Sequence, residues 1–351
     1  MINSADTGGA QTLVEALATR HRVYGIQTDV VVLLGRDSLS ARLDAAADHV
    51  HYLNLRKSPI ALWSARRRIK RILADTRPEV VHSHLLQSDL LVAVSRGPAL
   101  HVSTVHTSGG HESGLASRVV TVMVGRLAKR MNALVACSPS AAAFAQLRYG
   151  RTPDQIVLNG TTLDVPAQTF PASRSQVLCL SRWHPMKDHR NLFAAMSRLG
   201  ERAPLLVCAG AGMTRENEEL RDLLGEFDDV RVELRGPINN VREMLRRSRA
   251  LIISSSHGEA LPMAGIEALA AGVPVVTTDV GDCRLLAVSP DLLARPREPE
   301  ELASAIHAVL NEDADWSTVA RALASKEFDI DRAAERYYEL YRTLIERGVR
   351  R

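Results

Sequence analysis

Lysine, aromatic residues and long apolar runs are all scarce in this 351-residue chain, and each shortage narrows what it can do. No stretch approaches the ~18 to 20 consecutive apolar residues that a membrane-spanning helix requires. The amino end carries no charged segment followed by the apolar core of a secretory signal. Aromatic residues make up 4% of the chain, too few for base-stacking platforms, and no nucleic-acid module is recognisable, so a nucleic-acid partner is not expected. The four cysteines, Cys137, Cys179, Cys208 and Cys283, lie far apart with no C-x-x-C spacing. That pattern excludes a disulfide framework or a zinc ribbon and predicts buried thiols in a reducing cytoplasm. No Gly-Lys pair occurs, which excludes a P-loop, and Gly210-x-Gly212 is followed by Arg215 where the dinucleotide fingerprint needs its third glycine.

What the chain does have is length, apolar content and alternation. With 351 residues, 46% of them apolar, it exceeds the usual single core and predicts two domains. Apolar runs at Val30 to Leu34, Val80 to His84, Val102 to His106 and Leu134 to Ser138 alternate with helical stretches near Thr12 to Arg20, Pro59 to Ala74, Leu115 to Lys129 and Pro139 to Leu147. The proline-bearing stretch VPAQTFPASRS after Asp164 reads as a linker. The alternation restarts with strands near Val177 to Ser181, Leu205 to Ala209, Val230 to Leu234, Ala250 to Ser254 and Val273 to Thr277. The pattern predicts an α/β protein with two doubly wound, Rossmann-like parallel sheets, residues 1–165 and 166–330, facing a central cleft. An amphipathic helix over 331–351 can pack back on the first domain.

Charge is unevenly spread. Residues 1–165 hold 19 Lys+Arg against 12 Asp+Glu, net +7, whereas the remainder holds 25 against 28, net −3. The excess concentrates between Arg56 and Arg71, where Ile60, Trp63, Ile69, Ile72 and Leu73 put an apolar stripe beside a cationic face. Two readings stay open, a helix lying on an anionic membrane surface or a crossover helix with solvated arginines. No metal site is expected: the D-x-D pairs Asp313/Asp315 and Asp329/Asp331 lie where carboxylates cap helices, and His106, His111 and Glu112 lack the compact spacing of H-E-x-x-H.

The most informative stretch runs from Ser255 to Glu267. Ala250 to Ser254 reads as a buried strand and Met263 to Ala271 as a helix with Pro262 at its start, where a missing N–H is harmless. The corner between them is therefore a helix N-terminus at a strand's carboxyl end. Unpaired N–H groups and the positive dipole end suit a phosphate there, while Glu259 in the loop and Glu267 one turn into the helix can each accept from hydroxyls. Such a corner fits a nucleotide-sugar.

These residues and others in the same order resemble glycosyltransferase family 4, retaining enzymes of the GT-B fold. The matching segments are TGGAQ from Thr7 to Gln11, VVHSH from Val80 to His84, STVHT from Ser103 to Thr107, ACSPS from Ala136 to Ser140, LNGTTLD from Leu158 to Asp164, SRWHPMKDH from Ser181 to His189, and the glutamate corner continued to Val276. The resemblance implies a hexosyl transfer from a UDP- or GDP-sugar to a glycan or lipid-linked glycan acceptor. It further implies no cofactor or metal, a role in cell-surface polysaccharide or glycolipid synthesis, and a cytoplasmic location peripheral to the membrane. By resemblance Arg182 and Lys187 stabilise the departing diphosphate, aided by the backbone N–H groups of Leu261 and Met263 around Pro262 and by those of Gly8 and Gly9. Glu267 receives the ribose hydroxyls, Glu259 those of the transferred sugar, His106 its primary hydroxyl or the reacting centre, and Gly210, Pro237 and Ile238 the base.

Two departures from the family pattern stand out. Too few residues precede the glycine loop to form the usual first strand, which is expected to open a slot in the first sheet. Ala260 stands where glycine is common, and Gly265 inside a helix suggests close approach of the nucleotide. A catalytically silent sugar-nucleotide-binding subunit, or an epimerase on the same fold, is the alternative reading.

Overall fold

The computed structural model describes residues 1–6, 8–55, 59–109, 115–163, 176–238, 240–310 and 315–349, and only the backbone at 59–63, 115–117 and 349. The expected linker, Thr7, Arg56, His111, Glu112 and Asp313, and the side chains of Ile60 and Trp63 lie outside that description. The chain divides into two compact units, Met1–Gly160 with Ile330–Arg351, and Thr161–Asp329.

Unit 1 contains strands β1 (Asp29–Val32), β2 (His49–Tyr52), β3 (Val80–His84), β4 (Leu100–Val105), β5 (Ala133–Ala136) and β6 (Gln155–Ile156). Its helices are α1 (Gly9–His21), α2 (Ser40–Ala46), α3 (Pro59–Thr76), α4 (Leu86–Ala93), α5 (Leu115–Ala128) and α6 (Pro139–Tyr149). Unit 2 follows with β7 (Gln176–Leu180), α7 (His189–Arg198), β8 (Leu205–Ala209), α8 (Glu218–Gly225), β9 (Val232–Leu234), α9 (Val241–Arg247), β10 (Ser248–Ile253), α10 (Met263–Ala270), β11 (Val275–Thr278), β12 (Leu293–Ala294), α11 (Pro299–Leu310) and α12 (Trp316–Glu327). The last helix, α13 (Ile330–Val349), belongs to unit 1, where Ile330, Ala334, Tyr337 and Tyr341 bury against Leu13 and Leu17 of α1 and Val102 and Val135 of the sheet.

Every strand pair is parallel. In unit 1, β1 pairs with β2, and β3-β4-β5-β6 run in order. Between β1 and β3 runs a two-residue stub, Met1–Ile2, bonded to both. The Met1 ammonium donates to His82 O (2.6 Å), and His84 N donates to Met1 O (3.0 Å). On the other side Ile2 N donates to Val31 O (3.0 Å) and Leu33 N to Ile2 O (3.1 Å). The expected slot lies beside this stub, a cavity of about 640 Å³ lined by Val30, Ile72, Leu73, Val80 and Tyr341 among others. Burial pushes the Met1 amine down to about 5, against the pull of the Asp89 carboxylate.

Helix α3 shows where the described residues of the basic segment lie. Ala65 and Ile69 are buried with Val31, Leu33, Leu53 and Leu91, and Ile72 and Leu73 pack on the same cluster. Among the described residues the apolar stripe is thus a core face, because a crossover helix must cover the sheet. Arg66 Nε donates to Val94 O (3.0 Å), which ties part of the cationic face to the next helix connection.

Unit 2 is a six-stranded sheet in the order β12-β11-β10-β7-β8-β9. Its core gathers Val177, Phe193, Leu206, Ile252, Leu302 and Ile306, and all four cysteines of the chain are buried free thiols. Helix starts carry side-chain caps: Asp188 accepts from Asn191 N (3.3 Å) and Asp315 from Thr318 N (3.1 Å). The second D-x-D aspartate, Asp331, pairs with Arg20 at 2.5 Å.

Candidate active site

The strand order in unit 2 reverses at β7. The chain moves from β7 outward through β8 and β9, then returns to the other side of β7 with β10 and β11. Such a switch point leaves a crevice outside the carboxyl ends of two neighbouring strands whose loops diverge. The loops that leave β7 and β10 are those carrying Arg182, Lys187 and Glu259.

After β7 the chain passes Arg182, which is exposed, and enters a 3-10 turn over Pro185–Lys187 that ends at Asp188 in the left-handed region, φ +48°. This places Lys187 Nζ 2.5 Å from Glu259 Oε1. Ser255 Oγ donates to the same Oε1 (2.6 Å), Ser254 Oγ donates to Lys187 O (2.8 Å), and Ser256 N donates to Met186 O (2.8 Å). The two loops are therefore stitched together by backbone as well as by charge. Glu259 is 5% exposed, yet it remains beside an ammonium that can turn its other two N–H bonds to a ligand.

Helix α10 begins at this corner. Its N-cap is Pro262 and no side chain caps it; Gly265 N and Ile266 N bond Pro262 O, which leaves Met263 N and Ala264 N as the first-turn donors of the kind that hold anions at helix starts. Glu267 sits half-buried on the same helix. Ala260 creates no strain: the left-handed residue of the loop is Gly258 at φ +76°. Packing within unit 2 also requires a glycine at 265. A Cβ there would lie 2.5 Å from Leu286 Cδ1 and 3.3 Å from Ile253 Cδ1, so the glycine lets α10 settle on its own core.

Gly210 follows β8 at φ +143°, and a Cβ on it would lie 2.2 Å from Ser181 O and 3.0 Å from Arg182 N. Its N–H donates to Gly236 O (2.7 Å), at the turn holding exposed Pro237 and half-buried Ile238. Gly210 thus lets the β8 and β9 loops close onto the Arg182 loop. Two residues that sequence reasoning missed complete the corner. Ser255 orients Glu259, and Gly281, after β11, lies under the Glu259 carbonyl, with Asp282 N donating to Ala260 O (3.0 Å). A Gly-Asp step one strand beyond the glutamate corner was the signal available for it.

Unit 1 has its own cluster at its strand ends. Gly8 is the N-cap of α1 and Gly9 its exposed first residue, again without a side-chain cap. His106 follows β4, half-buried, with Nε2 2.9 Å from His84 Nδ1. His84 lies against His82 with ring centroids 4.1 Å apart. His82 in turn bonds Tyr341 OH (2.6 Å) and Thr104 Oγ1 (2.7 Å). Burial pushes His106 down to about 4 and holds His82 and His84 well below the usual histidine value, with neighbouring positive groups adding to the shift of the latter two. His106 is therefore neutral near pH 7, able to orient a hydroxyl through a hydrogen bond but not to act as a cation. His84 is its missed partner, and VHSH was the signal.

The same cluster makes acid stability predictable. His21 is pushed to about 4 and His101 to about 3, chiefly by burial, so five histidines of unit 1 are neutral when folded and accept protons near pH 6.5 once unfolded. Unfolding then takes up protons as pH falls, and stability declines from about pH 6.5 toward 4. The Met1 amine acts in the same direction. Asp89, raised to about 7 by burial, and Glu15, also raised by burial, act oppositely but are two groups against six. Denaturant titrations should lose on the order of 3–5 kcal/mol between pH 7 and pH 5, and a flat profile over that range would show that the histidines are not held neutral.

Two parallel α/β units, each with uncapped helix ends and polar side chains gathered at strand carboxyl ends, define a two-domain protein of the GT-B fold. Residues 7–165 match the sequence family described as Glycosyltransferase Family 4, and residues 174–312 that described as Glycosyl transferases group 1. Glycogen synthase of Mycobacterium tuberculosis is 26% identical over 75% of this chain and 72% of its own length. D-inositol 3-phosphate glycosyltransferase of Kribbella flavida is 25% identical over 98% of this chain and 92% of its own. Anabaena HepE, solved in complex with UDP-glucose, superposes with a TM-score of 0.81 at 18% identity over 97% of this chain and 98% of that one. Sucrose-phosphate synthase from Thermosynechococcus elongatus gives 0.82 at 19% identity over 98% and 96%. The chain is a glycosyltransferase of the GT-B type.

Proposed function

We propose that the protein is a retaining, metal-independent hexosyltransferase of family 4, which moves a hexosyl group from a UDP- or GDP-sugar to a saccharide or lipid-linked saccharide. The observation that carries this reading is the Lys187–Glu259 pair beside the uncapped start of α10. It offers an ammonium and backbone N–H donors to a diphosphate and a carboxylate to sugar hydroxyls. In the reaction the bond from the anomeric carbon to the diphosphate oxygen breaks, and the acceptor oxygen bonds to that carbon on the same face. The acceptor proton passes to the departing phosphate oxygen. Lys187 and Arg182 stabilise the charge that develops on the diphosphate, which is where preorganised donors accelerate such a step most. Glu267 is assigned to the ribose, Gly210, Pro237 and Ile238 to the base, and Gly8, Gly9 and His106 of unit 1 to the diphosphate and the transferred sugar. HepE bound to UDP-glucose supports a uridine donor. The same reading places the enzyme in cytoplasmic cell-surface polysaccharide or glycolipid assembly.

Incubation with UDP-, GDP- and ADP-sugars and mixed glycan acceptors, with and without chelator, tests it. The expected result is transfer from one donor class, chelator-insensitive, with the donor's anomeric configuration kept in the product. Donor binding without transfer to any acceptor would favour the silent-subunit reading, and release of an epimerised sugar would favour the epimerase.

A further inference from the structure

Among the described residues, each element carries at most one exposed large apolar side chain, with α5 as the exception. There Val119 (48% exposed), Val122 (48%) and Met123 (41%) stand together. Their spacing of three and four residues sets them on one stripe. The other face of α5 is fixed inward: Thr121, Val124 and Ala128 are buried. At Gly125 a Cβ would lie 3.0 Å from Arg148 O and 3.2 Å from Tyr149 Cα, so the helix is pressed onto the end of α6.

Cations surround the outward stripe. Arg118 and Arg126 on the helix and Lys129 and Arg130 just beyond it are all exposed, and no acidic residue occurs from Leu115 to Arg130. A second copy laid against this face would set four cations against four, which disfavours self-association. A nucleic acid would leave the methyl groups unmatched, with no aromatic ring to stack on. An anionic lipid surface matches both parts: short apolar side chains enter the boundary of the acyl region while the long cationic ones reach the phosphates.

We infer that α5 is a lipid-contacting helix that seats unit 1 on an anionic membrane surface, its axis in the membrane plane. The location is distinct from Arg56 to Arg71, whose described apolar residues face the core. The inference does not depend on the transfer reading, and its test needs no sugar donor.

The full chain is floated with vesicles of phosphatidylcholine alone or with about one-third phosphatidylglycerol. It should rise with the anionic vesicles only, and added salt should release it. The variant Val119→Ser/Val122→Ser/Met123→Ser should partition at least about tenfold more weakly with an unchanged thermal melt, since it alters exposed positions only. Arg67→Gln/Lys70→Gln/Arg71→Gln on α3 should stay within about twofold of the parent. Failure to float on anionic vesicles, equal partition of the triple serine variant, or a dimer that this variant dissociates would each overturn the inference.

Discussion

Glu259→Gln and Lys187→Met should each lower sugar transfer by at least about 100-fold, because on the proposed reading each removes a charge from the reacting end of the donor. Glutamine keeps the volume of Glu259 and can still accept from Ser255 Oγ, so a loss of rate reads the charge rather than the shape. Stability separates the partners. Glu259 is buried and the Lys187 side chain is 18% exposed, so either single change strands the other charge in a poorly solvated place. That should cost about 1–3 kcal/mol, below the range of fully buried pairs because Lys187 retains some solvent. The double variant should regain much of that stability while staying inactive, which a double-mutant cycle on the thermal melts and initial rates would show. Near-normal turnover in either single variant would remove the pair from the chemistry.

The corner was legible in the sequence because its physical demands are local. A strand, a short loop and a helix start are written in consecutive residues, and Glu259, Pro262, Met263 and Glu267 took their places from that run alone. The Lys187–Glu259 bond was not legible, since 72 residues separate the partners and the order of β7 and β10 is a tertiary fact. The same limit hid His84 behind His106 and Gly281 beneath Glu259. Two-residue strands such as β6 and β12 carry no periodicity to detect. With α3 and α5 the difficulty was different. Both have apolar residues at helical spacing, and only packing shows that Ile69, Ile72 and Leu73 face the sheet while Val119, Val122 and Met123 face outward. Gly265 belongs with these, since a glycine permits close approach of anything and only packing shows Leu286 as a neighbour.

Gly281→Ala should damage the site more than any other single methyl added to it. Gly281 adopts φ +55°, and a Cβ there would lie 1.9 Å from Glu259 O, 2.9 Å from Glu259 C and 3.4 Å from Ala260 O. These are backbone atoms, held in place because Asp282 N bonds Ala260 O and Ser255 O accepts from Thr278 Oγ1 (2.6 Å). No rotamer change relieves the contact. Either the Glu259 loop moves or the Gly281 turn opens, and both withdraw the carboxylate from Lys187. The left-handed backbone adds about 1–2 kcal/mol and the overpacking about 1–3, so unit 2 should lose roughly 2–5 kcal/mol. Transfer should fall by at least about 100-fold even at temperatures where the fold persists, since catalysis depends on placement to within an ångström. Gly200→Ala is the control: Gly200 has φ +56° with nothing within 4 Å of its Cβ position, so it should cost only the backbone part, about 1–2 kcal/mol, and leave transfer unchanged. If Gly281→Ala behaved like Gly200→Ala, the loop after β11 would not be what holds Glu259 in place.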